Sequence, residues 1–105
     1  MIHFDKTKQR LLKLDTACIC DAGKVLNLNL RVMDSGIKPI RTGLKLVGYA
    51  HTVTCHNDFL TVVKALHDAT SEEVIVIDSQ NSQKALTGEL FPTEAARKGL
   101  AGIVN

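Results

Sequence analysis

The sequence has 105 residues, 45% of them hydrophobic and 23% charged, which describes one globular domain and leaves no room for two cores. Thirteen basic and eleven acidic residues give a net charge of +2. That balance, with no aromatic residues interleaved in the one basic concentration at Lys6, Lys8, Arg10 and Lys13, argues against nucleic-acid binding.

Three cysteines, an odd count, do not close a disulfide framework and suit a reducing compartment. The start, Met1-Ile2-His3-Phe4-Asp5-Lys6, is too charged for a signal peptide. No stretch of about eighteen apolar residues is present to cross a membrane. A cytoplasmic location is the expectation.

Residues 4–14 place Phe4, Leu11, Leu12 and Leu14 among charges at roughly helical spacing, with the basic residues on the solvated face. Asp15-Thr16 offers an N-cap to a second helix, Ala17 to about Leu26, weakened by Gly23 within it. Asn27, Asn29 and Asp34-Ser35-Gly36 read as loop, and Pro39 beside Ile40 suggests a short extended piece on a sheet edge. The stretch from Leu44 to Cys55, with Val47, Tyr49, Thr52, Val53 and Thr54, reads as a long strand. Gly48 within it marks a bulge or a close backbone approach.

Asn57-Asp58 then caps a helix carrying Phe59, Leu60, Val62, Val63, Ala65 and Leu66, and Thr70-Ser71 is a turn. Glu73 to Asp78 is a nearly continuous β-branched run, the pattern of a strand covered on both faces. Residues 79–84 form a polar loop. A helix follows from about Glu89 to Lys98, with Pro92 near its first turn and Gly99 as its C-cap, and a last buried strand runs from Ala101 to Val104. Strands alternating with helices define an α/β fold. The last strand is short for a central position, so it lies at an edge or belongs to a truncated form of a longer fold.

In α/β sheets ligands bind beyond the carboxyl ends of the strands, which selects the loop after Asp78 and the Thr87-Gly88-Glu89-Leu90 turn. Free amides at a helix start can receive a carboxylate or phosphate, and Glu89 could hold a divalent cation directly or through water. The competing reading is plain: Gly88 is a turn residue, and Glu89 favours a helix N-terminus through the dipole. Asp78, ending a buried strand, is a further pocket candidate; Asp58 is another, though its position suits a helix cap. Cys18 and Cys20 are separated by one residue, too close for the paired spacing of a zinc site even with Cys55-His56 nearby. His51 and His67 have no visible nucleophile partner.

Several segments together resemble the RraA-like family, which includes metal-dependent 4-hydroxy-4-methyl-2-oxoglutarate aldolases and RraA regulators of ribonuclease E. Thr16-Ala17-Cys18-Ile19-Cys20-Asp21-Ala22 is similar to the family's Thr-Ala-x-x-Ser-Asp-Ala, with Cys20 in place of serine. Gly48-Tyr49-Ala50-His51-Thr52-Val53 resembles Gly-x-Ala-x-Thr-Val, and Asn57-Asp58 stands near Gly-Asp-Asn in altered order. Val74 to Asp78 resembles the strand ending in Val-Asp, and Ala85, Gly88, Glu89 and Leu90 match Ala-x-x-Gly-Glu-Leu. Arg97, Gly99, Gly102, Val104 and Asn105 resemble the approach to Asp-Gly-x-x-Arg-Asp.

The resemblance covers about Thr16 to Asn105. It implies a single domain over 1–105, incomplete at its C-terminus, folded as a layered α/β/β sandwich like the phosphohistidine swivelling domain and assembled as a trimer or other homo-oligomer. It implies that pyruvate or a related keto acid is held by the Arg of an Arg-Asp pair and by backbone amides of the turn Gly88, Glu89, Leu90 and Phe91. It also implies a divalent metal, Mg or Mn, held by the Asp of the same pair with Glu89 assisting. That pair would fall just past Asn105, and the family's glycine-rich loop is replaced by Ser79-Gln80-Asn81-Ser82-Gln83. The 105 residues are therefore expected to show little aldolase activity. The alternative is a non-catalytic regulatory protein of the ribonuclease E inhibitor type, with a protein partner.

Overall fold

The structure, a computed structural model, describes residues 4–105. The chain divides into two compact units, the first ending at Lys45 and the second running from Leu46 to Asn105.

In the first unit, α1 (Phe4–Leu12) buries none of its residues, as expected of a helix whose polar face dominates. Asp15 caps α2 (Thr16–Val25) as the sequence suggests: its Oδ1 accepts the Cys18 amide at 2.8 Å. That bond holds the Asp15 carboxyl below its ordinary range, while the Asp15 side chain facing the exposed Cys18 thiol, by hydrogen bonding and by its negative charge, pushes that thiol up. Gly23 is the buried residue of α2, and the Leu30 side chain lies where a Cβ would stand. The helix thus gives up propensity at Gly23 to admit Leu30. The extended piece expected at Pro39-Ile40 is absent: no strand forms there, and Ile40 is 96% exposed. One β-branched residue beside a proline supplies neither a ladder nor an apolar face to bury.

The second unit contains β1 (Tyr49–Thr54), α3 (Phe59–Asp68), β2 (Glu73–Asp78), α4 (Leu90–Arg97) and β3 (Gly102–Val104). The element order matches the sequence reading. The strands form one parallel sheet in the order β1-β2-β3, with Tyr49 opposite Glu73 and Val74 opposite Gly102. Parallel strands require crossovers, and two crossovers advancing in one direction place both helices on one face. On that face Ile75 and Ile77 pack with Val62, Leu66, Ala69, Phe91 and Ala95, flanked by Val53, Leu100 and Ile103. Every buried hydrophobic residue among those described lies in this unit.

Two strand boundaries differ from the sequence reading. The long strand from Leu44 shortens to Tyr49–Thr54 because its partner begins at Glu73. Glu72 takes a left-handed conformation (φ 71°) and gives its amide to the Gly99 carbonyl at 2.9 Å, so no ladder continues there. Gly48 is a close approach: a Cβ would stand 2.5 Å from the Glu72 carbonyl oxygen and 2.9 Å from Val74 Cγ2. The final strand is half-buried rather than buried, and it forms an edge of the sheet. The central β2 is covered on both faces at Val74 and Ile75, while Val76 is half-buried.

Helix α4 ends in a Schellman motif. Gly99 (φ 78°) donates to Ala96 O at 3.0 Å and Leu100 to Ala95 O at 3.1 Å, a geometry that favours glycine. Lys98 reaches across from this end to α3, donating from Nζ to the carbonyls of Leu66 (2.6 Å) and His67 (2.9 Å). It thereby satisfies two acceptors left open by the end of α3 and places a cation at the negative end of that helix.

Candidate functional site

The loops following β1 and β2 leave the sheet at the same end, as the parallel register requires. The Cys55 amide donates to the Asp78 carbonyl at 2.9 Å, tying the two exits together. Beyond it, Asn57, Gln80 and Asn81 all occupy left-handed backbone, with φ of 56°, 53° and 61°. Asparagine tolerates this region better than most residues, and such conformations persist only where their surroundings fix them.

The structure gives each candidate residue a definite place. Asp58 is the N-cap of α3: Oδ1 accepts the amides of Leu60 (3.0 Å) and Thr61 (3.4 Å), and Oδ2 accepts the Thr61 hydroxyl at 2.5 Å. These bonds, the Thr61 hydroxyl first, hold its carboxyl below the ordinary range. Asp78 is exposed and accepts the Gln80 amide through Oδ1 at 2.9 Å, starting the loop. Leu86, buried at 4% exposure, anchors the far side of that loop.

Gly88, Glu89 and Leu90 are exposed, and Leu90 is 84% exposed. Phe91 turns its ring into the core, so its contribution to a ligand is confined to its backbone. Glu89 is the residue before α4 and has helical backbone angles, with no side-chain hydrogen bond capping the helix. The first-turn amides of Leu90 and Phe91 have no carbonyl four residues earlier within the helix to receive them, and Pro92 has no amide. The result is a helix start with free donors, a partial positive charge and one carboxylate at its rim.

The remaining polar candidates lie elsewhere. His51 Nδ1 contacts Glu73 Oε2 at 3.0 Å, near the opposite end of the strands. Glu73 also accepts the Thr70 amide at 3.0 Å; that bond, then His51, lowers its carboxyl pKa. Arg97 is held by Glu94 at 2.6 and 2.7 Å on the exposed side of α4 and does not turn to the loops. The three cysteines are free, and no group of three or more His, Cys, Asp or Glu residues converges on a metal position among the described residues. Among the described residues a cage made wholly of protein ligands is therefore not formed. A single carboxylate suits a cation that keeps most of its waters and shares a chelating ligand, as magnesium does.

Sequence reasoning missed Ser82. Its hydroxyl donates to Asn57 Oδ1 and accepts the Lys84 amide at 3.1 Å, joining the loops after β1 and β2. A serine in a polar loop carries no distinguishing signal; the pairing appears only when the two strand ends meet.

This is the carboxyl end of a parallel α/β sheet, with a helix N-terminus that no side chain caps. The RraA-like family model, described as Aldolase/RraA, matches residues 16–105, and the chain belongs to that family. A protein of Halalkalibacterium halodurans named "Putative 4-hydroxy-4-methyl-2-oxoglutarate aldolase" is 36% identical over 93 residues, covering 87% of this chain and 42% of that protein. The chain thus spans less than half the length of this curated relative. A solved structure described as "Crystal structure of novel cellulases from microbes associated with the gut ecosystem" superposes with a TM-score of 0.78 at 20% identity. It covers 97% of this chain and 49% of that one, and the likeness is one of fold. Among the described residues no helix is long and apolar enough to cross a membrane.

Proposed function

We propose that this chain carries the anion-binding part of a keto-acid site of the 4-hydroxy-4-methyl-2-oxoglutarate (pyruvate) aldolase type, within the layered sandwich of the swivelling-domain kind. The supporting observation is the open start of α4, where Gly88 and Glu89 lead into first-turn amides and no side chain caps the helix. The carboxylate of a small keto acid would accept from the amides of Leu90 and Phe91. Phe91, fixed in the core by its ring, holds those donors in position. Glu89 would hold a hydrated divalent cation beside the bound acid. When bound, that cation supplies polarisation of the keto group.

The 105 residues contain no Arg-Asp dipeptide, and Arg97 is engaged with Glu94. The proposal is therefore that this chain by itself binds the ligand without turning it over. The test is titration of the purified chain with oxalate, a stand-in for a chelating keto acid, with and without Mg2+, followed by amide chemical shifts. Magnesium-dependent shifts at Gly88–Phe91 are expected. Glu89→Gln should weaken oxalate binding by about tenfold, the scale of an outer-sphere metal contact. Absence of shifts at these amides at millimolar oxalate and magnesium refutes the reading.

A further inference from the structure

We propose that Asn57 and Ser82 are a positioning pair that sets the Thr87-Gly88-Glu89 turn in its ligand-receiving place. The proposal rests on the keto-acid reading for its ligand, though not for its geometry. Two polar loops leave neighbouring parallel strands here, and the Ser82 hydroxyl bridges them by donating to Asn57 Oδ1. The same hydroxyl accepts the Lys84 amide at 3.1 Å, and the Ser82 amide donates to Ser79 O at 3.1 Å. Ser82 is half-buried, whereas Gln80, Asn81, Gln83 and Lys84 are exposed. Among the described residues, this is the side-chain hydrogen bond that joins the two loops.

The loop is thereby fixed at three points. Asp78 holds its start through the Gln80 amide, Ser82 holds its middle, and Leu86 holds its end in the core. The turn bearing Gly88 and Glu89 follows Leu86 directly. Two consecutive residues in left-handed backbone, Gln80 and Asn81, lie between the first two anchors. Neither is glycine, so that conformation persists only where the anchors impose it. Asn57 is itself left-handed and immediately precedes the Asp58 cap, which ties the pair to the first turn of α3. Loss of the bridge frees residues 79–84 to sample other conformations, and the turn beyond them loses one side of its support. A turn that is competent for a tenth of the time binds about tenfold more weakly.

The experiment has a ligand-free arm and a ligand arm, both on the full chain. In Ser82→Ala, backbone 15N order parameters at Thr87–Glu89 should fall, while those at Val74–Ile77 stay as in the wild type. Asn57→Gly, which removes the acceptor yet suits φ 56°, should give the same pattern, and the double variant should add nothing further. Ser82→Thr, which keeps the hydroxyl, should restore the wild-type order parameters. With magnesium present, oxalate should bind Ser82→Ala about tenfold more weakly than wild type, with Thr restoring it. Unchanged order parameters at Thr87–Glu89 in both single variants overturn the proposal, as does equal oxalate affinity in wild type and Ser82→Ala. Failure of the wild type to bind oxalate refutes the keto-acid reading instead, and the ligand-free relaxation arm then decides alone whether the pair holds the turn.

Discussion

Gly48 offers a sharp test of the packing described above. Alanine at an unstrained glycine position ordinarily stabilises by about 0.4–1 kcal/mol, because the unfolded chain loses freedom. At Gly48 a Cβ would lie 2.5 Å from the Glu72 carbonyl oxygen, 2.9 Å from Val74 Cγ2 and 3.1 Å from Ala101 Cβ. A carbon and a carbonyl oxygen meet comfortably at about 3.3 Å, so the shortfall is roughly 0.8 Å. The oxygen is backbone and cannot rotate away. Glu72 is further held by its amide bond to Gly99 O, and Val74 is buried in the central strand. Overpacking of this kind costs about 1–3 kcal/mol and outweighs the entropic gain. The expected outcome for Gly48→Ala is a net loss of about 1–2 kcal/mol in urea unfolding, a fall in Tm of roughly 5–10 °C for a unit of this size. Gly88→Ala is the control: nothing lies within 4 Å of its Cβ position and its φ is not left-handed, so its stability should match or slightly exceed wild type. If Gly48→Ala is as stable as wild type, the close approach is wrong.

Lys98→Met should lower stability by about 1–2 kcal/mol, since it keeps the stem but removes two charge-assisted bonds to the end of α3. Amide exchange in the last turn of α3 should rise with it; an unchanged urea midpoint would count against the cross-helix cap. Glu73 supplies a pH dependence. Its carboxyl pKa is lowered in the folded chain by the Thr70 amide and by His51, so its contribution is fully present above the ordinary glutamate value of about 4.3. That contribution fades as the pH falls through the depressed folded value. Glu73→Gln should flatten this part of the acid unfolding profile, and a profile identical to wild type would refute the assignment.

The residues that announced themselves in the sequence are those whose burial or capping is local. Val74, Ile75, Val76 and Ile77 form a continuous apolar run because β2 is the central strand, and Asp58 and Gly99 sit where caps belong. What stayed hidden depends on contacts distant in sequence. The start of β1 is set by the turned-away Glu72, and the apolar residues from Leu44 to Val47 look the same on either side of that boundary. The Gly-Glu-Leu turn stood out in the sequence as a candidate through its place after a strand, whereas the inward direction of Phe91 and the bridge from Ser82 to Asn57 were not legible there. Lys98 in the sequence is one exposed-looking lysine among many; its role requires α3 and α4 to lie side by side.

The two ends of the parallel sheet differ in what they tolerate. At one end Gly48, Glu72, Ala101 and the His51–Glu73 pair are locked to one another, and a single added methyl is felt by the whole unit. At the other, residues 79–84 are tethered at a few points and otherwise open to solvent. A chain built this way can exchange the composition of its mouth while the ladder beneath stays fixed. The polar run Ser79-Gln80-Asn81-Ser82-Gln83 lies where such latitude is greatest, which makes this loop the place where substitutions are borne with least cost to the sheet.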